Sequence, residues 1–278
     1  MTSLHFETRG SGPALVLLHG WGLNLRVWNG FADRLAERRR IFAFDLPGHG
    51  HSRWDNEAAT LDGIAQLVQE TLTEAGALPE GPQAGDQRCS LLGWSLGGQI
   101  ALRLAALAPE RFDALVLIAT TPRFVAGAGW PHGMRPDVLE RFATQLATDY
   151  RRTVRDFLEL QVRGSVAGTE VLHALESAVL NHGAARPEAL EALLGVLASS
   201  DLRESLPRIE QPALVVAGQY DRVTPPGASR VLAETLPRGR FLEVRRAAHA
   251  PFLSHEAELA AETVRFLDEA RDASRGIR

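Results

Sequence analysis

The sequence predicts an α/β protein with a mostly parallel central sheet, helices on both faces, and a helical segment inserted between two strands. Three observations predict this fold class. Short apolar runs bounded by glycine and proline alternate with longer segments of helical periodicity. The apolar runs are continuous, which is typical of parallel strands buried on both faces. Between about residues 123 and 199 no β-rich run occurs, although helical spacing continues.

Five apolar runs are predicted to be buried parallel strands, at residues 14–18, 41–44, 90–92, 114–118 and 213–216. Residues 241–245 are predicted to form a further strand. Helical periodicity predicts a helix over residues 99–107, which ends before Pro109, and a last helix over 256–270. Residues 79–87 combine proline, glycine and charge, which predicts a surface loop.

The inserted segment is predicted to be a helical cap over residues 123–198, on a core made of residues 1–122 and 199–278. Pro136 suits the first turn of a helix, and apolar residues follow it at helical spacing at Val138, Leu139, Phe142 and Leu146. Further helices are expected at 151–162, 170–180 and 187–197. Such an insertion can cover the carboxyl ends of the strands, where open α/β sheets bind ligands.

Composition excludes several kinds of chemistry. The 278 residues contain no lysine, so all 30 basic residues are arginine, and Schiff-base or phosphate-loop lysine mechanisms are excluded. The single cysteine, Cys89, permits neither an internal disulfide nor a multi-thiolate zinc site. A net charge of −4 argues against a general nucleic-acid surface. No apolar run is long enough to span a bilayer, and the amino terminus lacks a signal-peptide pattern, so we expect a cytoplasmic protein.

The strongest motif is Gly93-Trp94-Ser95-Leu96-Gly97, which lies between a predicted strand and a predicted helix. A serine at such a sharp turn projects its hydroxyl from the end of the sheet, and the flanking glycines permit close approach of the chain. The alternative is an ordinary glycine-rich turn. Because the motif has the strand-turn-helix context that it requires, we interpret Ser95 as a nucleophile.

A serine nucleophile needs a base and an acid that orients the base. Asp221 comes just after the strand at 213–216, and His249 comes after the strand at 241–245. The order Ser, Asp, His is that of α/β-hydrolases. Taken singly, Asp221 could be a turn former and His249 a packing residue. Taken jointly, Ser95, His249 and Asp221 are predicted to form a catalytic triad.

A motif after the first predicted strand indicates where an oxyanion could bind. His19-Gly20-Trp21-Gly22 follows the first strand, where hydrolases place one arm of the oxyanion hole, so the backbone amides of Trp21 and Leu96 are predicted to bind the developing oxyanion. The alternative is a bend that His19 only braces.

His49 and His51 form a His-x-His pair without an apparent third ligand, so no metal site is assigned. The predicted chemistry requires no cofactor.

Motifs along the whole chain resemble the α/β-hydrolase superfamily and, within it, the BioH carboxylesterases of biotin synthesis. The resemblance in the core is carried by LLHGWGLN at 17–24, LGWSLGG at 92–98 and AAHAPFLSH at 247–255. In the cap it is carried by WP at 130–131, PDVL at 136–139, RTV at 152–154 and FLELQ at 157–161. Cap sequences vary widely among hydrolases, so similarity in the cap is the more specific signal.

The resemblance implies hydrolysis of the methyl ester of pimeloyl-acyl carrier protein, with release of methanol. It also implies that substrate contacts come from Trp21, Trp94, Ser95, Leu96, Phe157, Leu158, Glu159, Leu160, Gln161 and His249. An apolar pocket closed by Trp94 and Phe157 would accept a methyl-masked chain and resist a free carboxylate. A generalist esterase of small free esters, and a receptor that binds without turnover, are the alternatives.

The acyl carrier protein is the expected partner, and the cap offers Arg151, Arg152 and Arg155 for its acidic surface. The alternative is a solvated helix face, because Asp156 and Glu159 stand four residues after Arg152 and Arg155 and could pair with them. The resembled family uses several cap arginines for docking, and only Arg152 matches one of them. The next of these positions holds Asp156, and the last two positions fall near Thr169 and His173. We expect a monomer that binds neither nucleic acid nor membrane.

Overall fold

A computed structural model describes residues 3–55, 59–78 and 87–275, and the loop predicted at 79–87 lies outside them except for its last residue. Its seven strands form one sheet. The strands are β1 (Phe6–Arg9), β2 (Ala14–Leu18), β3 (Arg40–Phe44), β4 (Cys89–Trp94), β5 (Phe112–Ile118), β6 (Ala213–Gly218) and β7 (Gly239–Val244). The α/β fold class predicted from the sequence is therefore confirmed.

The strand order across the sheet is β1-β3-β2-β4-β5-β6-β7. Every neighbouring pair is parallel except β1 and β3, which are antiparallel. The six predicted strands are all present, with ends that differ by up to two residues. Sequence reasoning missed β1, because a four-residue edge strand of mixed polarity carries no continuous apolar run.

Ten α-helices occur within the described residues. They are α1 (Asn29–Ala36), α2 (Leu61–Glu74), α3 (Leu96–Leu107), α4 (Pro136–Thr148), α5 (Tyr150–Val162), α6 (Gly168–His182), α7 (Pro187–Ser199), α8 (Pro226–Thr235), α9 (Pro251–Ser254) and α10 (Glu256–Arg275). The segment between β5 and β6 contains α4 to α7, as its helical spacing predicts. The helix predicted at 99–107 begins three residues earlier, directly after Ser95, because two glycines in its first turn hide the start of the pattern. The last helix runs five residues beyond its predicted end.

Apolar side chains cover both faces of the sheet and form two clusters. Successive residues of a strand point to opposite faces, so Leu91 lies in one cluster while Leu92 and Trp94 lie in the other. The inserted helices extend both clusters, since Leu139 belongs to the first and Leu158 to the second. This double burial explains why the strands are continuous apolar runs.

The parallel strands bring four loops to one edge of the sheet. The loops after β2, β4, β6 and β7 carry Trp21, Ser95, Asp221 and His249 respectively. Because parallel strands share a direction, their carboxyl ends lie at the same edge, and sites in open α/β sheets form there.

Among the described residues, none of the helices combines the length and apolar character required to cross a bilayer.

Candidate active site

Ser95 occupies a strained turn between β4 and α3. Its φ of 55° and ψ of −114° lie in a region that residues with a Cβ rarely adopt. The Ser95 amide donates to the carbonyl of Ile118 at 3.0 Å, and its carbonyl accepts from the hydroxyl of Thr120 at 2.7 Å. Neighbouring strand β5 and the residues after it therefore hold the serine in this conformation.

The two glycines of the motif are required by close backbone contacts. A Cβ on Gly93 would overlap the carbonyl oxygen of Gly97, and a Cβ on Gly97 would overlap the carbonyl oxygen of Leu18. The turn is thus packed directly against strand β2. This contact brings the loop after β2 to the serine, since a Cβ on Gly20 would lie 3.4 Å from the Cβ of Ser95.

His249 and Asp221 lie together in a buried pair. The Nδ1 of His249 donates to Oδ2 of Asp221 at 2.8 Å, and the two residues are 1% and 4% exposed. The other carboxylate oxygen, Oδ1, accepts from the amides of Val223 and Thr224 at 2.8 and 2.9 Å. The hydroxyl of Thr224 donates to Oδ2 at 2.9 Å. Four donors fix the carboxylate. Because Nδ1 of His249 is used in this pair, Nε2 is the ring nitrogen left without a hydrogen bond among the described residues.

Two backbone contacts place the histidine beside the serine turn. The indole Nε1 of Trp94, the residue before Ser95, donates to the carbonyl of His249 at 2.8 Å. The amide of His249 donates to the carbonyl of Gln161 in α5 at 2.9 Å. The loop after β7 is therefore attached both to the serine turn and to an inserted helix.

The loop after β2 is held by two buried neutral histidines. The Nε2 of His49 accepts from the Gly22 amide at 3.2 Å, and the Nε2 of His19 accepts from the Leu46 amide at 2.9 Å. Burial lowers the pKa of His19 to about 4 and that of His49 to about 3, so both rings are neutral at neutral pH. Bracing of this loop was the alternative interpretation of His19, and its contacts fit that role.

The Leu96 amide is the second predicted oxyanion donor. Leu96 is the first residue of α3, and the first amides of a helix have no acceptor within the helix. The positive end of the helix dipole adds to the attraction for a negative oxygen at this position. Leu96 follows Ser95 directly, so its amide lies beside the serine turn.

A family model described as alpha/beta hydrolase fold matches residues 13–256, which is most of the chain. The chain belongs to this hydrolase family. An esterase structure from Exiguobacterium antarcticum matches with a TM-score of 0.86 over 96% of both chains, at 23% identity. That likeness bears on the fold alone.

Two relatives narrow the family further. A protein of Nitrosomonas europaea named pimeloyl-[acyl-carrier protein] methyl ester esterase is 43% identical over 254 residues, 91% of this chain and 95% of that protein. A protein of the same name from Stenotrophomonas maltophilia is 39% identical over 273 residues, 98% of this chain and 100% of that protein. The hydrolase therefore belongs to the family of these esterases, and it is a carboxylic ester hydrolase.

The predicted substrate-contact residues of the hydrolase divide between two clusters. Trp21 packs edge-on against Phe157, with ring centroids 5.3 Å apart, and its indole donates to the Leu190 carbonyl at 2.9 Å. Trp94 instead packs against Phe252. Trp94 and Phe157 therefore belong to different clusters, because strand alternation sends Trp94 to the other face of the sheet, and a pocket closed by both side chains stays a prediction.

The run at 157–161 also divides, since five consecutive helical residues point around the whole helix. Glu159 is exposed to solvent, and Leu158 is buried in the cluster that contains Trp94. Phe157 and Leu160 pack against the other cluster. Gln161 is 1% exposed, and neither atom of its side-chain amide has a hydrogen-bond partner among the described residues.

The three predicted docking arginines all lie exposed on α5. The Arg152 guanidinium is 3.7 Å from Asp156, and both side chains are mostly exposed, so this pair contributes little to stability. Arg151 lies over the ring of Tyr150 at 5.9 Å. Within the described part of the chain, no ion pair joins Arg155 to Glu159, although their spacing permits one.

Thr224 and His49 were missed by sequence reasoning, although each touches the site. An Asp-x-x-Thr spacing after a strand is a signal for Thr224, because a threonine three residues on can donate to the aspartate. His49 lies in the loop after β3, and only the fold brings it to Gly22 in the loop after β2. No local pattern could have identified that contact.

Proposed function

We propose that the hydrolase cleaves the methyl ester of pimeloyl-acyl carrier protein, releasing methanol and the free carboxylate. The observation that carries the proposal is the likeness to two esterases of this name along nearly their whole length. The buried Asp221–His249 pair beside the Ser95 turn supports it. The resemblance of its motifs to the BioH carboxylesterases supports a role in biotin synthesis. The substrate implies that an acyl carrier protein is the partner.

The proposed mechanism proceeds through an acyl-enzyme. Ser95 Oγ attacks the ester carbonyl carbon while Nε2 of His249 takes its proton. The resulting oxyanion is bound by the amides of Trp21 and Leu96. The intermediate then collapses, the carbon–oxygen bond to the methoxy group breaks, and His249 gives its proton to the departing methoxy oxygen, so that methanol leaves. His249 next takes a proton from water, whose oxygen attacks the acyl carbon. The bond between that carbon and Ser95 Oγ then breaks, His249 returns the proton to Oγ, and the acid product loses its own proton to become a carboxylate.

Asp221 serves this mechanism by orienting His249. It holds Nδ1 in the protonated tautomer and stabilises the imidazolium that forms when Ser95 loses its proton. The carboxylate is preorganised by the two amides and the Thr224 hydroxyl that it accepts from. Little reorganisation is then needed in the transition state, which is the main source of electrostatic catalysis.

The acyl pocket is proposed to lie beside Trp21, Phe157 and Gln161. The rings of Trp21 and Phe157 offer an apolar wall for a methylene chain, which a methyl-masked end suits better than a charged one. A buried amide without a partner costs about 1 to 3 kcal/mol. A substrate carbonyl or ester oxygen could meet the amide of Gln161, which makes it the polar contact that we assign to the substrate.

The inserted helices are proposed to act as a cap, residues 123–198, that carries the docking surface for the carrier protein. Arg151, Arg152 and Arg155 present cations on α5, and an acyl carrier protein is expected to be acidic. The same helix contacts His249 through the Gln161 carbonyl. Docking and the reacting centre would thus share one helix. We also propose that the enzyme acts as a cytoplasmic monomer.

The experiment compares methanol release from methyl pimeloyl-acyl carrier protein and from free methyl pimelate. We expect a much higher kcat/KM for the carrier-bound ester, and no release from either ester with Ser95→Ala. Equal kcat/KM values would favour the generalist esterase. Binding of both esters by the wild type without turnover would favour the receptor.

A genetic test asks whether the chain restores growth to a biotin auxotroph that lacks its own esterase. Growth with the wild type and none with Ser95→Ala would support the pathway role. Failure to grow, with active protein present in the cells, would contradict the natural substrate proposed and leave ester hydrolysis intact.

A further inference from the structure

Three histidines from distant parts of the chain meet away from the candidate active site. His5 precedes β1, His51 lies in the loop after β3, and His182 is the last residue of α6. One ring nitrogen from each lies within 4.8 Å of those of the other two. The rings of His51 and His182 are 3.9 Å apart at their centroids, and those of His5 and His51 are 4.9 Å apart. We name these three residues the histidine cluster.

The cluster is open to solvent on one side and closed on the other. His51 is exposed, the side chain of His5 is about one-third exposed, and His182 is buried. The Nε2 atom of His5 is buried and has no hydrogen-bond partner among the described residues. A buried ring nitrogen normally has a partner. An ion could enter beside His51 and reach this nitrogen.

His182 has the orientation of a metal-binding histidine. Its Nε2 donates to the buried Oδ2 of Asp45 at 2.8 Å, which leaves the lone pair on Nδ1. A carboxylate that holds the second nitrogen of a histidine is the usual support of a metal-binding imidazole. The only contact of Nδ1 among the described residues is Arg26 Nε, at 3.3 Å. Arg26 is also paired with both carboxylate oxygens of Glu7, so it can lose the weaker contact.

Two carboxylates, those of Asp45 and Glu7, lie beside the cluster, and Oε1 of Glu7 is 4.0 Å from Nε2 of His5. Glu7 is paired with the guanidinium groups of Arg26 and Arg9, so the carboxylate of Asp45, buried against His182, is the charge that attracts a cation.

We propose that His5, His51 and His182 bind one divalent transition-metal ion of the zinc class. Three imidazoles suit zinc, copper and nickel, and water would supply a fourth ligand. Zinc–nitrogen bonds of about 2.0 to 2.1 Å require the ring nitrogens to move closer than they are here. His51 and His5 can make this movement because their side chains are partly free in solvent, while Asp45 keeps His182 in place.

This site differs from the His49–His51 pair considered in the sequence. His49 is buried, and both of its nitrogens are used, by the Gly22 amide and the Pro47 carbonyl. His51 finds its partners instead in His5 and His182, which only the fold brings near. The proposed site therefore shares only His51 with that pair.

The ion would join the core to the inserted helices. His5 and His51 belong to the core, whereas His182 ends α6. Asp45, which supports His182, also accepts from the Leu25 amide at 2.8 Å, next to the loop that carries Trp21. We therefore expect the ion to stabilise the packing of α6 on the core and to have no part in ester chemistry.

The test is a zinc titration of the chain without a histidine tag, by calorimetry and by competition with a chelating dye. We expect one ion per chain, and a rise in melting temperature of about 5 to 10 °C when free zinc exceeds the Kd by about 100-fold. His51→Ala should weaken binding by about tenfold or more, and His5→Gln should do the same. His51 is exposed, so its loss should leave folding intact.

The matched control is His173→Ala, which removes an exposed histidine from the same helix as His182. It should bind zinc as the wild type does. The proposal is overturned if the wild type binds zinc no more tightly than His51→Ala. Equal weakening by His173→Ala, or a stoichiometry that falls by one ion in this control as well, would indicate scattered surface binding and overturn it too.

Discussion

The Thr224 hydroxyl tests the proposal that Asp221 must be held still for catalysis. It donates to Oδ2 of Asp221 at 2.9 Å and lies 3.4 Å from Nδ1 of His249. Thr224→Val removes the hydroxyl with almost no change of volume. The Thr224 amide, which donates to Oδ1, remains in the variant. The substitution therefore isolates one of the four donors to the carboxylate.

The expected loss follows from this count of donors. A hydrogen bond to a charged group contributes about 1.5 to 3 kcal/mol. Because Asp221 keeps three donors, we take the lower end, about 1.5 kcal/mol, which corresponds to about a tenfold fall in kcat. KM should stay unchanged, since Thr224 contacts the carboxylate and not the ester.

The assay measures kcat and KM for a free methyl ester and the burst of p-nitrophenol from an activated ester. Thr224→Ser is the matched control, because it keeps the hydroxyl and should retain most of the wild-type kcat. Equal losses in the valine and serine variants would show that packing, and not the hydrogen bond, matters. A valine variant with wild-type kcat would refute the reasoning altogether.

Three further predictions concern stability, docking and pH. Gly97→Ala should lower the free energy of unfolding in urea by about 3 kcal/mol or more, because its Cβ would overlap a backbone carbonyl, whereas Gly195→Ala, with nothing within 4 Å, should be neutral or stabilising. Arg152→Glu should lower kcat/KM for the carrier-bound ester far more than for the free ester, and Arg238→Glu, at the opposite edge of the sheet, should affect neither; equal slowing of both esters would contradict docking. The pKa of His49 is about 3 in the folded state and about 6.5 in the unfolded state, so below about pH 6.5 only the unfolded state takes up the proton. The free energy of unfolding should therefore decrease as the pH is lowered, by up to about 1.4 kcal/mol per pH unit. Urea unfolding between pH 7 and 4.5 should give a shallower slope for His49→Gln, and an identical slope would exclude this histidine as the cause.

Local patterns predicted the elements with strong periodicity and missed those without it. The continuous runs of β2 and β5 were found because a strand covered on both faces is apolar at every position. Strand β1 was missed because an edge strand needs no such run. The start of α3 was placed late because Gly97 and Gly98, required by packing, are poor helix formers. The error at the start of α3 therefore marks glycines that tertiary contact requires.

The fold class, the serine turn and the order of Ser95, Asp221 and His249 follow from the amino-acid sequence alone, because these depend on short-range spacing and on strand direction. Which side chains meet depends on how the segments pack. This packing paired Phe157 with Trp21, placed Thr224 against Asp221, and gathered His5 and His182 around His51. The physical reason is that such contacts depend on which face of a strand or helix each residue occupies after packing, and no local pattern encodes that choice between segments far apart in the chain.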